Sequence, residues 1–172
     1  MSKPDLALLL EVGFIAHEEV GYSRVFDFEF SQLRLDAELL VENLIGEIHI
    51  SRTANGLLTQ AHFEAAVNAI CGRCLEAISQ PLACKFSELF TLPNKADTNT
   101  EMVLPHDGKI DFAPILRDYM LIEVPISSVC RPDCKGLCPT CGVNRNLGDC
   151  GHAESYIDPR LSVLKSLLEN DN

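Results

Sequence analysis

Gly46-Glu47-Ile48-His49-Ile50-Ser51-Arg52 alternates apolar and polar side chains, and Ala54-Asn55-Gly56 follows it. A period of two is that of a half-buried strand, with Ile48 and Ile50 on one face. Asn-Gly between two such runs is a strong hairpin signal. The stretch therefore predicts a strand that reverses at 54–56 into a second strand from Leu57 through Ile70. Cys71-Gly-Arg-Cys74 falls at the next reversal, and a third strand runs from Leu75 to Thr91, with Pro81 at an edge or bulge. Upstream, Phe26, Phe28 and Phe30 alternate as well and place three aromatic rings on one face of another strand. Residues 38–90 thus read as an antiparallel meander of long strands.

Flanking segments are less regular. Leu6, Leu9 and Leu10 have helical spacing, but Gly13 and Gly21 interrupt it. Residues 92–109 are polar and read as a loop, with His106 exposed in it. Phe112, Ile115, Leu116, Tyr119 and Met120 share one helical face. Asp111 stands where an N-cap is expected, Pro114 is tolerated in the first turn, and Pro125 ends the element. Asp158-Pro159 opens a second amphipathic helix with Leu161, Val163, Leu164, Leu167 and Leu168 on its stripe. Packing of that helix on the chain's own sheet is the expected role, and partner binding is the rival.

The segment from 130 to 152 is different in kind. It runs Cys130-Arg-Pro-Asp-Cys134-Lys-Gly-Leu-Cys138-Pro-Thr-Cys141-Gly142 and on to Cys150-Gly-His152, and it holds five of the chain's eight cysteines. Zinc takes four thiolate or imidazole ligands in a tetrahedron, and a Cys-x-x-Cys turn supplies two from one tight loop. Gly142 permits a left-handed backbone just after the second sulfur. Three other readings compete: disulfides, thiol redox chemistry at Cys138 and Cys141, and inert buried thiols. No export signal supports the first, since Asp5 and Glu11 bracket the short apolar run at 6–10. No βαβ pattern supports the second, and clustering in a Gly- and Pro-rich segment argues against the third. The donors exceed four and are mostly thiolates, which favours a closed, structural site over a catalytic one with an open position.

The expected ligands are Cys134, Cys138, Cys141 and Cys150. Cys130, His152, Cys71 and Cys74 are alternates. A tail that closes on itself is preferred to one stapled to Cys71 and Cys74, because local closure costs less loop entropy. Cys84 stands alone in a strand and reads as a buried thiol. The expected fold is therefore α+β: an antiparallel β meander with a few packing helices and a small C-terminal zinc-binding module. It divides into a β-rich acidic body over 1–129 and a cysteine-rich tail over 130–172.

Charge constrains partners. The 172 residues carry a net charge of −11, and the body accounts for −10 of it, with 9 Lys/Arg against 19 Asp/Glu. Affinity for a phosphate backbone comes mainly from Lys and Arg, so the body opposes unaided nucleic-acid binding. Arg131, Lys135 and Arg145 in the tail allow at most a limited RNA contact. No run approaches the ~18 apolar residues of a membrane span. The cysteine usage fits a reducing, cytoplasmic setting.

Cys71-Gly-Arg-Cys74, the run Gly136-Leu-Cys-Pro-Thr-Cys-Gly-Val-Asn-Arg-Asn146, and Asp158-Pro-Arg-Leu161 occur in that order. In combination they resemble the bacterial and plastid YceD family, the large ribosomal RNA subunit accumulation proteins. The resemblance implies a non-enzymatic cytoplasmic factor for accumulation of 23S ribosomal RNA. Its implied partners are ribosomal proteins or large-subunit assembly factors, with no small-molecule substrate and no membrane. Cys71, Cys74, Cys134, Cys138, Cys141 and Cys150 match the family's cysteine positions, and His152 stands where relatives commonly have a further Cys. A generic zinc-dependent interaction module and a zinc or thiol enzyme are the rival readings.

Overall fold

Four long strands form the centre of the fold in the computed structural model, which describes residues 6–37, 39–97 and 102–152. Strand β1 is Leu9–Glu11, helix α1 is Gly13–His17, β2 is Ser23–Arg34 and β3 is Leu40–Arg52. Strand β4 is Gly56–Ile70, β5 is Ala77–Thr91, β6 is Lys109–Asp111 and α2 is Ala113–Glu123. The sheet order is β2-β3-β4-β5, all antiparallel, so each strand pairs with its neighbour in sequence. This is the expected meander. The helix expected over 158–168 lies outside the described residues.

Register follows from the alternation. Phe26, Phe28 and Phe30 pair with Ile48, Gly46 and Leu44, and these point to the core face. Phe63 pairs with Gly46 and is fully buried, its ring 5.9 Å from Phe28. A Cβ at Gly46 would lie 2.3 Å from the Phe63 ring, so the glycine is what lets that ring cross the strand. The turn after β3 is where Asn55-Gly56 predicts it, but for another reason. Neither residue has a positive φ. Gly56 is needed because a Cβ there would lie 2.1 Å from the Phe90 carbonyl. β3 carries a bulge between Glu42 and Ile45, with Asn43 at φ 50°. Pro81 sits in β5 at the rim of the sheet, where it removes no ladder bond that a further strand would need.

The core face is covered by α2, α1 and the segment around β1. Tyr119 stacks on Phe86 with centroids 4.8 Å apart and donates to Glu88 at 2.5 Å. Phe112 meets Phe90 edge-on, and Leu116 and Met120 are fully buried. Asp111 does accept from the Ala113 amide at 3.0 Å, as a cap would, although it ends β6 and Phe112 occupies the cap position. β1 and β6 pair over three residues each, a small sheet that no periodicity in the sequence announces. Among the described residues, no helix is long and apolar enough to cross a membrane.

Two expectations follow. Phe63→Ala removes a fully buried ring and should cost about 3–5 kcal/mol of stability by urea denaturation. Cys84 is buried in β5 and its thiol is pushed up to about 11, first by burial and then by the Glu123 charge. The protonated thiol is the form the fold prefers, so its contribution holds below the ordinary thiol range and is lost as pH rises through about 11. Stability measured between pH 8 and pH 11 should therefore fall less in Cys84→Ala than in the parent.

Candidate metal centre

The β4–β5 hairpin ends in Cys71-Gly-Arg-Cys74, and its backbone is that of a thiolate knuckle. Leu75 N–H donates to the Cys71 carbonyl at 2.9 Å, and Cys71 N–H donates to the Glu76 carbonyl at 2.9 Å. The tail repeats this form. Gly142 N–H donates to the Cys138 carbonyl at 2.8 Å, and Cys138 N–H donates to the Val143 carbonyl at 2.8 Å. In both, the residue after the second cysteine is left-handed: Gly142 at φ 72° and Leu75 at φ 61°. Glycine takes that conformation without cost, whereas leucine is strained there.

Each knuckle meets a second pair of donors. Cys71, Cys74, Cys130 and Cys134 bring four sulfurs within 4.8 Å of one another. Cys138, Cys141, Cys150 and His152 do the same with three sulfurs and an imidazole nitrogen. Four sulfurs bound at about 2.3 Å around a tetrahedral zinc stand about 3.8 Å apart. The Cys71–Cys134 and Cys74–Cys130 sulfurs are 3.9 and 3.7 Å apart, and Cys138 Sγ is 3.8 Å from His152 Nδ1. All eight cysteines are free thiols. A disulfide needs about 2.05 Å. The donor chemistry and spacing fit zinc at both clusters.

The quartet expected from the sequence is thereby divided. Cys134 lies with Cys71, Cys74 and Cys130, while Cys138, Cys141 and Cys150 lie with His152. The four alternates complete the two sets. One set, Cys138, Cys141, Cys150 and His152, lies wholly within the tail, and the other joins the tail to Cys71 and Cys74. Loop entropy weighs against long closures only when nothing else closes them. Here strand pairing and the docking of α2 on β5 already bring residue 130 back to the hairpin tip. Gly72 N–H donates to the Ser128 carbonyl at 2.8 Å, and Leu137 N–H donates to the Arg73 carbonyl at 3.0 Å. The Arg73 guanidinium donates to the carbonyls of Pro132 and Cys134 at 3.2 and 3.1 Å. Gly136, at φ 70°, lets the tail backbone approach Arg73.

The electrostatics of the clusters match. The amides of Cys74 and Arg73, then that of Cys130, hold the Cys71 thiol down to about 6. Cys130 N–H is 3.3 Å from Cys71 Sγ. Cys138 is likewise lowered to about 6 by the amides of Cys141 and Thr140. For Cys134, burial pushes upward, but the Asn146 side chain and the Gly136 amide outweigh it and its thiol is lowered. Cys130 is pushed up to about 12, foremost by Cys134 and then by burial. Cys74 and Cys141 are raised although a backbone amide pulls each the other way, that of Glu76 and of Val143 respectively. Burial and the partner cysteines Cys71 and Cys138 prevail. Some thiolates are thus prepared by the backbone, and ionising the rest against them calls for a cation. The clusters differ in access: Cys71, Cys74 and Cys134 are buried with only Cys130 exposed, whereas in the second cluster only Cys138 is buried, Cys150 is half-buried, and Cys141 and His152 are exposed.

A family model described as the large ribosomal RNA subunit accumulation protein YceD matches residues 59–168, more than half of the chain. The chain belongs to the YceD family. An uncharacterized protein of Mycobacterium tuberculosis is 33% identical over 126 residues, covering 71% of this chain and 60% of that protein. The uncharacterized protein YlbN of Bacillus subtilis is 29% identical over 104 residues, again 60% of its length. A chloroplastic large ribosomal RNA subunit accumulation protein YCED homolog of Zea mays is 48% identical over 40 residues, 23% of this chain and 14% of that one. The match thus spans about 60% of the bacterial relatives' length. No solved structure matches. The matched stretch begins in β4, so it takes in both knuckles.

Leu75→Gly should relieve the strained tip. Leu75 is 63% exposed, so little burial is lost. The variant should be more stable by about 1 kcal/mol in a thermal or urea melt.

Proposed function

We propose that this chain is a factor that supports accumulation of 23S ribosomal RNA and large-subunit assembly, acting through protein contacts, with zinc in a structural role. Family membership supports the first part. The second rests on one observation above the others: both donor sets are complete with four ligands, leaving no protein-defined open position for a substrate. The ligands are Cys71, Cys74, Cys130 and Cys134 at the hairpin tip, and Cys138, Cys141, Cys150 and His152 in the tail. Few apolar residues lie between 130 and 152, so metal binding supplies folding energy that packing does not. The body over 1–129 and the tail over 130–172 then work as joined units in the cytoplasm.

The outer face of the sheet supports a protein partner. Asp27, Glu47, His62 and Lys85 form one row across the four strands, and Glu29, Ile45 and Glu64 form the next. Asp27 stands directly opposite Glu47. Like charges at such a pair disfavour the sheet, which points to a use other than stability. Ile45 is 57% exposed in the midst of these carboxylates. An acidic face with an apolar centre fits a basic ribosomal protein or assembly factor. RNA contact is limited: of the tail cations Arg131, Lys135 and Arg145, the first already bonds Asn146 within the module, and the remaining cations are too few for a phosphate-binding patch.

Purified chain should carry two equivalents of zinc, falling to one in Cys71→Ser and remaining two in Cys84→Ser. Depletion should lower 23S RNA relative to 16S RNA. A Glu29→Lys/Glu64→Lys variant should lose salt-sensitive capture of basic large-subunit proteins while keeping its zinc. Unchanged 23S RNA on depletion refutes the ribosomal reading.

A further inference from the structure

Asn144 and Asn146 belong to the loop between Cys141 and Cys150, the loop that closes the exposed cluster. Their side chains nevertheless serve the buried one. Asn146 Nδ2 donates to Cys134 Sγ at 3.3 Å. Its Oδ1 accepts from Lys135 N–H at 2.9 Å and from the Arg131 guanidinium at 3.0 Å. Asn144 Oδ1 accepts from both the backbone N–H and the Nδ2 of Asn146, at 3.0 and 2.8 Å. Asn144 Nδ2 in turn donates to Glu76 Oε1 at 2.8 Å, two residues past Cys74. The loop thus grips the buried centre from both sides, at Cys134 and beside Cys74. Its own ends are Cys138 and Cys141 on one side and Cys150 and His152 on the other, all donors to the exposed centre.

We propose that the exposed centre is a lock on the buried one: metal held by Cys138, Cys141, Cys150 and His152 keeps Asn146 against the Cys134 sulfur and so slows metal loss from Cys71, Cys74, Cys130 and Cys134. This rests on the reading of both clusters as zinc centres. Asn146 is a positioning residue, acting through Cys134. Outer hydrogen bonds to ligands of this kind are worth about 10–100-fold in metal affinity. Metal exchange needs an incoming ligand or water to reach the ion. The buried set offers that access at Cys130 alone, its other three donors being covered, whereas the exposed set offers it at both Cys141 and His152. The exposed centre therefore exchanges metal first, and its emptying frees the loop.

The test uses the full chain loaded with cobalt, whose absorption distinguishes an all-thiolate centre from one with an imidazole. Chelator-driven loss is followed separately at each centre in the parent, in the isosteric Asn146→Asp and in His152→Ala, with far-UV circular dichroism reporting the sheet. Parent protein should lose the three-cysteine, one-histidine signal first. In both variants, loss from the four-cysteine centre should quicken by about 10–100-fold. In Asn146→Asp its thiolate-to-cobalt band should also move to lower energy, because one sulfur has lost a donor; a general loosening of the fold does not produce that shift. His152→Ala lies away from the sheet and keeps the test valid if Asn146→Asp fails to fold. Two equivalents of metal with an unchanged four-cysteine rate in His152→Ala overturn the lock and leave the zinc reading standing. No metal uptake by the parent overturns the zinc reading itself.

Discussion

Convergence of four sulfurs from opposite ends of the sheet sequence is the constraint on which the rest of this structure depends. Cys71 and Cys74 ride on the tip of the β4–β5 hairpin, and Cys130 and Cys134 arrive after α2. The pairs meet only if β4 and β5 hold their register over fifteen residues and α2 lies along β5. A slip of one residue would exchange the faces of the strand. Ala61, Phe63, Ala65 and Val67 are all buried on one face, which makes that slip costly. Core packing thus aims the hairpin tip, and the tip receives the tail.

The knuckles show how a short backbone makes thiolates available. In each, the amides within the Cys-x-x-Cys turn point at the first sulfur and draw its thiol down to about 6. The turn needs a left-handed residue to finish. At the tail this is Gly142. At the hairpin it is Leu75, so the same geometry is reached there under strain. Strand pairing on either side over-determines that turn, which is how a strained residue persists.

Much of this was legible in the sequence because period-two alternation is strong over 26–30 and 46–52, and the Asn55-Gly56 and Cys71–Cys74 reversals mark where the next strands begin. The knuckle residues were legible too, since Cys-x-x-Cys has few other uses in such a setting. The division of ligands was not. A sequence lists eight donors but does not say which lie close, and the entropy of closing a free loop is the wrong guide once a sheet has closed it. β1 and β6 were hidden because three residues define no period. Asn144 and Asn146 were visible only as part of a family marker. Their hydrogen bonds to Cys134 and Glu76 depend on the tail lying against the hairpin tip, and no local pattern encodes that.

Charge is spent unevenly over the two parts. The cations nearest the cysteines are drawn inward: Arg73 to the carbonyls of Pro132 and Cys134, and Arg131 to Asn146 and Asp133. On the sheet, by contrast, Asp27, Glu29 and Glu64 are exposed, and Asp27 faces Glu47 without a cation between them. A surface evolved for stability alone would intersperse the signs, because exposed ion pairs are easily gained and like pairs carry a cost. Glu64 has His62 at 3.7 Å, while Asp27 and Glu29 have no ion pair among the described residues; that excess of acid faces outward, and the bonded cations sit where they hold the module together. On the proposed reading, recognition falls to the sheet, and the cysteine module keeps the sheet's last hairpin and the tail in one piece.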